Sequence, residues 1–252
     1  MTERRELMLS KLKAFAVHLC GSVAVIALYL LLVFLVWYPY PYYIIENVWD
    51  VIRVVIGVDV FIGPLLTLVV YRAGKPSLKF DLSAIIVVQL SALLWGVSVT
   101  YSQRPIYTAL VSDNAMFSVI SASEVDDTAV TVPTLKSSPW SGPHLVYVDL
   151  PYDNEEYIRL GKENLKTGHG FAEYSQFYQP LLAYKDAVMQ QAVDMHKRMA
   201  AYADLRPKVS ASLDRNGGEL EDYLFIPVEG RVSIGFLVLR REDLQLVDAI
   251  LD

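Results

Sequence analysis

The chain has 252 residues, 54% hydrophobic and 20% charged, with a formal net charge of −6 and a mean hydropathy of +0.33. That is too apolar for an ordinary soluble domain and too charged for a chain lying wholly in lipid, so a few membrane spans plus one soluble domain are expected. A lone cysteine, Cys20, excludes an internal disulfide, and the acidic balance argues against a nucleic-acid-binding surface.

Taken in chain order, residues 1–13 read as a short basic tail. Ala14 to Trp37 is a charge-free run of 24 residues, long enough to cross a hydrocarbon core of about 30 Å. It is too long for a cleaved signal sequence, and it ends in Trp37-Tyr38-Pro39-Tyr40, an aromatic interface belt rather than a cleavage site. Val51–Tyr71 and Leu82–Tyr101 are two further runs of span length, and none follows. The expected fold class is a membrane protein: three N-terminal transmembrane helices (14–37, 51–71 and 82–101, together a domain of residues 14–101) followed by an exported α+β domain, residues 102–252. Arg4, Arg5, Lys11, Lys13, Arg72, Lys75 and Lys79 lie on one side of these spans, whereas the loop from Tyr38 to Asp50 has no Lys or Arg. The excess of basic residues predicts a cytoplasmic N-terminus and, in a bacterial inner membrane, a periplasmic C-terminal domain.

The exported part carries 14 Lys+Arg against 22 Asp+Glu, an acidic balance that does not seek anionic lipid or nucleic acid. Ile106–Val111, Ala115–Ile120 and Val146–Leu150 suit strands. Asp153 with Glu156 resembles a capping box opening a helix through about Leu165. Asp186 to Leu205 places Val188, Ala192, Met195, Met199 and Tyr202 at helical spacing, which predicts one amphipathic helix stopped before Pro207. Tyr223–Val228 and Val232–Leu239 flank Glu229-Gly230-Arg231 as a hairpin. Glu242–Leu251 reads as a short terminal helix, and Thr128–Pro143 as an irregular loop.

Asp59 is the most informative residue. It lies roughly 12 Å into the second span, where a carboxylate costs several kcal/mol unless it faces protein or water or is protonated. It is a polar contact for another helix or a proton-linked site, or else an internal partner of Gln89, which lies at similar depth on the third span; both hold if Asp59 belongs to a polar cluster that also receives a partner. Arg53, near the outer end of the same helix, reads as a side chain snorkelling to the interface. Gly63-Pro64 interrupts the second span, and proline there frees the carbonyl four residues earlier, that of Val60. Such a site is either a recognition point or a packing kink. Ala92 and Gly96 form a small-xxx-small pair for close helix approach, to a partner or within the bundle. An enzyme is disfavoured: the spans hold one carboxylate where an intramembrane aspartyl protease needs two, His18 and Ser22 share one helix without a glycine-flanked serine motif, and His144, His169 and His196 show no metal-ligand spacing. No phosphate-cradling glycine loop is present, so no cofactor and no metal are expected.

The chain resembles the TfpX/TfpZ family of type IV pilin accessory proteins. The residues that carry the resemblance are the basic start, Trp37-Tyr38-Pro39, the run Gly57-Val58-Asp59-Val60-Phe61-Ile62-Gly63-Pro64-Leu65-Leu66-Thr67-Leu68, Gly74-Lys75, Leu78-Lys79-Phe80-Asp81-Leu82, Gln89, Gly96 and Arg104-Pro105. The match is dense over residues 10–120 and thinner beyond, where Asp222–Val228 is its main stretch. Arg53 and the Tyr38–Tyr43 segment do not contribute to it. The resemblance implies a non-enzymatic inner-membrane protein that promotes the stability or assembly of a cognate type IV major pilin, in contact with the lipid bilayer and with pilus assembly platform proteins. On that reading Asp59, Gly63, Pro64, Gln89, Ala92 and Gly96 form the intramembrane contact for the pilin helix, and the pilin's free N-terminal amine is a candidate partner of Asp59. The alternatives are a structural or regulatory subunit of the platform and a periplasmic sensor.

Overall fold

A computed structural model describes residues 2–111, 114–152 and 155–252. The chain divides into two compact units, one of residues 1–36 and 48–102, the other of residues 37–47 and 103–252.

The first unit is three long helices, α1 (Glu3–Trp37), α2 (Trp49–Val70) and α3 (Leu78–Ser102), each long and apolar enough to cross a membrane. Each extends beyond its apolar run, because flanking polar residues such as Lys79 and Asp81 continue a helix already nucleated by the buried segment. Leu28, Phe61, Val69, Phe80 and Leu94 are exposed on their outer surfaces. An apolar exterior of this kind suits lipid rather than water. Helix α2 is central and packs against both α1 and α3. At Gly96 of α3 the Val55 side chain occupies the space a Cβ would fill, and Tyr29 lies close by, so this small residue serves packing within the unit. Ala92, one turn earlier, is half-buried. Arg53 pairs with Asp50 at 3.3 Å, both side chains exposed.

The second unit is built on a mixed seven-stranded sheet of order β4-β3-β1-β2-β5-β6-β7. The strands are β1 (Pro105–Val111), β2 (Phe117–Ser121), β3 (His144–Val148), β4 (Tyr178–Pro180), β5 (Tyr223–Glu229), β6 (Ile234–Arg240) and β7 (Leu246–Leu251). The pairs β1–β3 and β2–β5 are parallel and the rest antiparallel. Alternation sends side chains to two cores. Leu110, Leu224, Ile226, Leu237 and Leu239 face one side, with Val188 of α5 (Lys185–Gln191). On the other side Tyr107, Ala109, Val146 and Tyr178 meet Leu160 of α4 (Glu155–Thr167). On that same side Phe225, Val238 and Ile250 meet Met195 of α6 (Met195–Ala201) and Val209 of α7 (Leu205–Asn216). With both faces covered, β1 is buried along its whole length.

The segment Trp37–Asn47, which the sequence presents as a loop between spans, belongs to this sheet unit. Ile45 is fully buried in the first core. Tyr42 shares a 2.8 Å hydrogen bond with Thr108, the Trp37 indole donates to the Pro139 carbonyl at 3.0 Å, and the Val232 amide donates to the Ile45 carbonyl at 3.3 Å. Gly230 has no room for a side chain because Ile45 and Glu46 press against it. Glu46 pairs with Arg231 at 3.8 Å. Burial pushes its carboxyl above the usual carboxylate range, and Arg231 opposes the shift. Tyr40 donates to Asp248 at 2.6 Å. Burial and that carboxylate push the Tyr40 phenol up to about 12.

Three expectations for this part are corrected. Asp186–Leu205 is not one helix: α5, α6 and α7 replace it. The chain leaves α5 so that the Val193 amide can donate to the Phe225 carbonyl at 2.9 Å, and Asp194 then caps α6 by accepting from the Lys197 amide at 3.1 Å. Pro207 does not stop a helix but lies in the first turn of α7, where a missing amide costs nothing. Glu242–Leu251 is not helical: residues 246–251 form β7, paired antiparallel with β6, because the sheet edge supplies backbone partners that outweigh local helical spacing. The expected capping residue Asp153 lies outside the described residues; α4 begins at Glu155. The loop 128–143 holds only single turns at Asp127–Ala129 and Pro133–Leu135.

Candidate functional site

The polar residues of the three apolar helices converge. In α2, residues Gly57–Ile62 form a widened π-helical stretch in which the Gly63 amide bonds the Val58 carbonyl, five residues back. In that register the next donor would be residue 64 for the carbonyl of Asp59. Residue 64 is proline and has no amide hydrogen. The freed carbonyl is therefore that of Asp59, not Val60 as an α-helical count expects, and the Gln89 side-chain amide donates to it at 3.0 Å. Gly63 is required here: a Cβ on it would collide with the Gln89 amide group. Pro64 and Gly63 are both buried. The gap and its filler thus come from two helices and close on each other. π-bulges of this kind recur at functional positions.

Gln89 is held in turn. The His18 ring of α1 donates from Nε2 to Gln89 Oε1 at 2.8 Å, and the Thr67 hydroxyl of α2 donates to His18 Nδ1 at 2.6 Å. A ring carrying its hydrogen on Nε2 accounts for both bonds. The Gln89 amide also reaches the Ser22 hydroxyl at 3.4 Å. One connected network therefore ties all three helices. His18, Ser22 and Thr67 were not among the expected site residues. Their signal was the spacing of His18 and Ser22 on one face of an otherwise apolar span.

The Asp59 side chain is the exception. The residue is 5% exposed, and its Oδ2 has no hydrogen-bond partner. Sequence reading offered Gln89 as an internal partner; the Gln89 amide does meet residue 59, through its backbone carbonyl, and the carboxyl oxygen Oδ2 is left without a partner. Beside it an open groove of about 230 Å³ runs between α1 and α3, with Val25 on one wall, Leu90 and Leu93 on the other and Asp59 at the floor. Among the described residues, no group of three or more His, Cys, Asp or Glu is placed to hold a metal. The arrangement offers an apolar groove with one unsatisfied acceptor, a feature suited to seating a helix that carries a donor.

The family model for fimbrial assembly protein FimB matches residues 6–46. A fimbrial assembly protein of Dichelobacter nodosus, serogroup I, is 26% identical over 255 residues, covering 99% of this chain and 97% of the relative. Its serogroup E1 counterpart is 25% identical with the same coverage. A third, of serogroups C1 and C2, is 34% identical over 116 residues, which is 45% of this chain and 87% of the relative. No solved structure matches. The chain belongs to the FimB family of fimbrial assembly proteins.

Proposed function

We propose that the chain is a non-enzymatic, chaperone-like accessory protein of type IV fimbrial biogenesis that seats the apolar helix of a cognate major pilin in the groove between α1 and α3. The observation that carries this reading is the buried Asp59 carboxyl, whose Oδ2 lacks a partner at the floor of an open apolar groove. An unmet buried carboxylate costs several kcal/mol, and a pilin helix presenting an amine or hydroxyl at that depth would offset it. The relatives, described as fimbrial assembly proteins, support the biological setting. The basic residues of the tail and of the loop between α2 and α3 support a cytoplasmic N-terminus and a periplasmic sheet unit. On this reading the sheet unit reads the pilin head.

Photo-crosslinking in cells tests the proposal. A probe belongs at Leu93 or Val25, which line the groove, rather than at Gly63, where any side chain displaces Gln89. A pilin-sized adduct that disappears in a strain lacking the major pilin is expected. Crosslinks to platform proteins alone, with no pilin adduct from either wall, would replace this reading with that of a platform subunit.

A further inference from the structure

The helical unit has a second, larger cavity, at its basic end. It has a volume of about 590 Å³ and an apolar wall that includes Ala14, Val17, Leu82 and Ile86, with Lys13 and Tyr71 at its polar margin. That volume is within the range of sites that hold a small molecule, roughly 300–1,000 Å³. The surrounding charge is positive. Arg4, Arg5, Lys11, Lys13, Arg72, Lys75 and Lys79 outnumber Glu3, Glu6 and Asp81 at this end. Asp81 is already neutralised by Lys75 at 2.5 Å. Lys11 is used as well, donating to the Val69 carbonyl at the end of α2 at 3.0 Å. Lys13 is exposed and, like Tyr71, lines the cavity.

We infer that this cavity is a binding site for an anionic glycerophospholipid, with an acyl chain along the apolar wall and the headgroup phosphate on Lys13 and the Tyr71 hydroxyl. The argument is one of complementarity. An apolar slot between membrane helices that ends in a lysine matches an amphiphile with a negative head, and basic pockets between helices are a recurrent form of lipid recognition. A water-soluble phosphate would gain nothing from the apolar wall, and a neutral lipid would leave the lysine unmet. The site does not rest on pilin docking, since it is assembled from this chain's own helices.

The test uses the purified full-length protein, without any pilus component, reconstituted with equimolar phosphatidylglycerol and phosphatidylcholine and then examined by native mass spectrometry. Preferential retention of phosphatidylglycerol is expected. Lys13→Gln should weaken it about fivefold, the effect of one basic side chain beside an anionic headgroup. Ile86→Trp, which fills the slot while keeping the lysine, should remove retention, with circular dichroism confirming that helices persist. Equal retention of the two lipids, an unaffected Lys13→Gln variant, or displacement of the lipid by millimolar glycerol phosphate would each overturn the inference.

Discussion

At the residue scale the helical site turns on one unsatisfied carboxyl and one glycine. Asp59 is expected to limit stability and serve function, which two substitutions separate. Asp59→Leu removes a buried carboxyl with one unpartnered oxygen, a change that is neutral or stabilising in comparable sites, so the thermal midpoint of the full chain in detergent should hold or rise. Surface pili counted by electron microscopy should nonetheless fall sharply. Asp59→Asn, which keeps a carbonyl acceptor, should retain more of them. If the leucine variant is fully piliated, Asp59 has no part in partner binding. Gly63→Ala is expected to cost about 1–3 kcal/mol by overpacking against Gln89, read as a lowered unfolding midpoint. Combined with Gln89→Ala it should lose less than the sum of the two single changes, because both act on one contact. Much of this site was legible in the sequence: Asp59, Gly63-Pro64 and Gln89 stand out as breaks in apolar runs. What was not legible was the register. A π-helical stretch moves the freed carbonyl by one residue, and no local spacing announces it.

At the element scale the sheet unit shows where periodicity misleads. Strands β1, β3, β5 and β6 were readable because each is an apolar run bounded by turn residues. β7 was not, because Asp248 interrupts its apolar alternation. The structure explains that aspartate: it is 2% exposed and accepts from Ser212 at 2.7 Å, Arg215 at 2.6 Å and Tyr40 at 2.6 Å. Burial alone would raise its carboxyl, but hydrogen bonds from Tyr40, Ser212, Arg215 and the Ala249 amide outweigh it and hold the group below the ordinary range. A carboxyl lowered by folding stabilises fully above its unfolded value, about 3.9, and that stabilisation is lost as pH falls through the folded value. Asp248→Ala is therefore expected to cost about 1–3 kcal/mol near neutral pH, since it leaves the buried Ser212 hydroxyl without its acceptor and removes the Arg215 and Tyr40 bonds. Urea unfolding of the full chain at neutral and acidic pH checks both the loss and a flatter acid limb in the variant. An unchanged midpoint at neutral pH would show that Asp248 does not hold β7 to α7.

At the scale of the whole molecule, the boundary between the two units is not a single point in the chain. The sequence shows three apolar runs of span length and then a more polar region, and by that pattern residues 38–50 are connecting chain. Their contribution to the sheet core was hidden because Ile45 and Tyr42 sit in a short segment between two apolar runs of span length, which reads as a connecting loop. In the structure Tyr40 bonds Asp248 on β7, Tyr42 bonds Thr108 on β1, and Ile45 is fully buried among Leu224 and Leu237. Burying a large apolar side chain contributes about 1.5–3 kcal/mol, so Tyr42 and Ile45 together make the segment a structural part of the sheet unit. The consequence can be tested on fragments. Residues 103–252 alone should expose the cleft that Ile45 fills, bind a hydrophobic dye and melt early. Joining residues 37–47 to that fragment through a flexible linker should raise its midpoint by roughly 10 °C, the shift that a few kcal/mol gives in a domain of this size. Ile45→Ala in the joined form should return most of that gain, since a cavity replaces a packed side chain. Equal midpoints with and without the segment would mean that the sheet is complete without it. A raised midpoint would mean that residues 37–47 are a folded part of the sheet unit rather than slack chain.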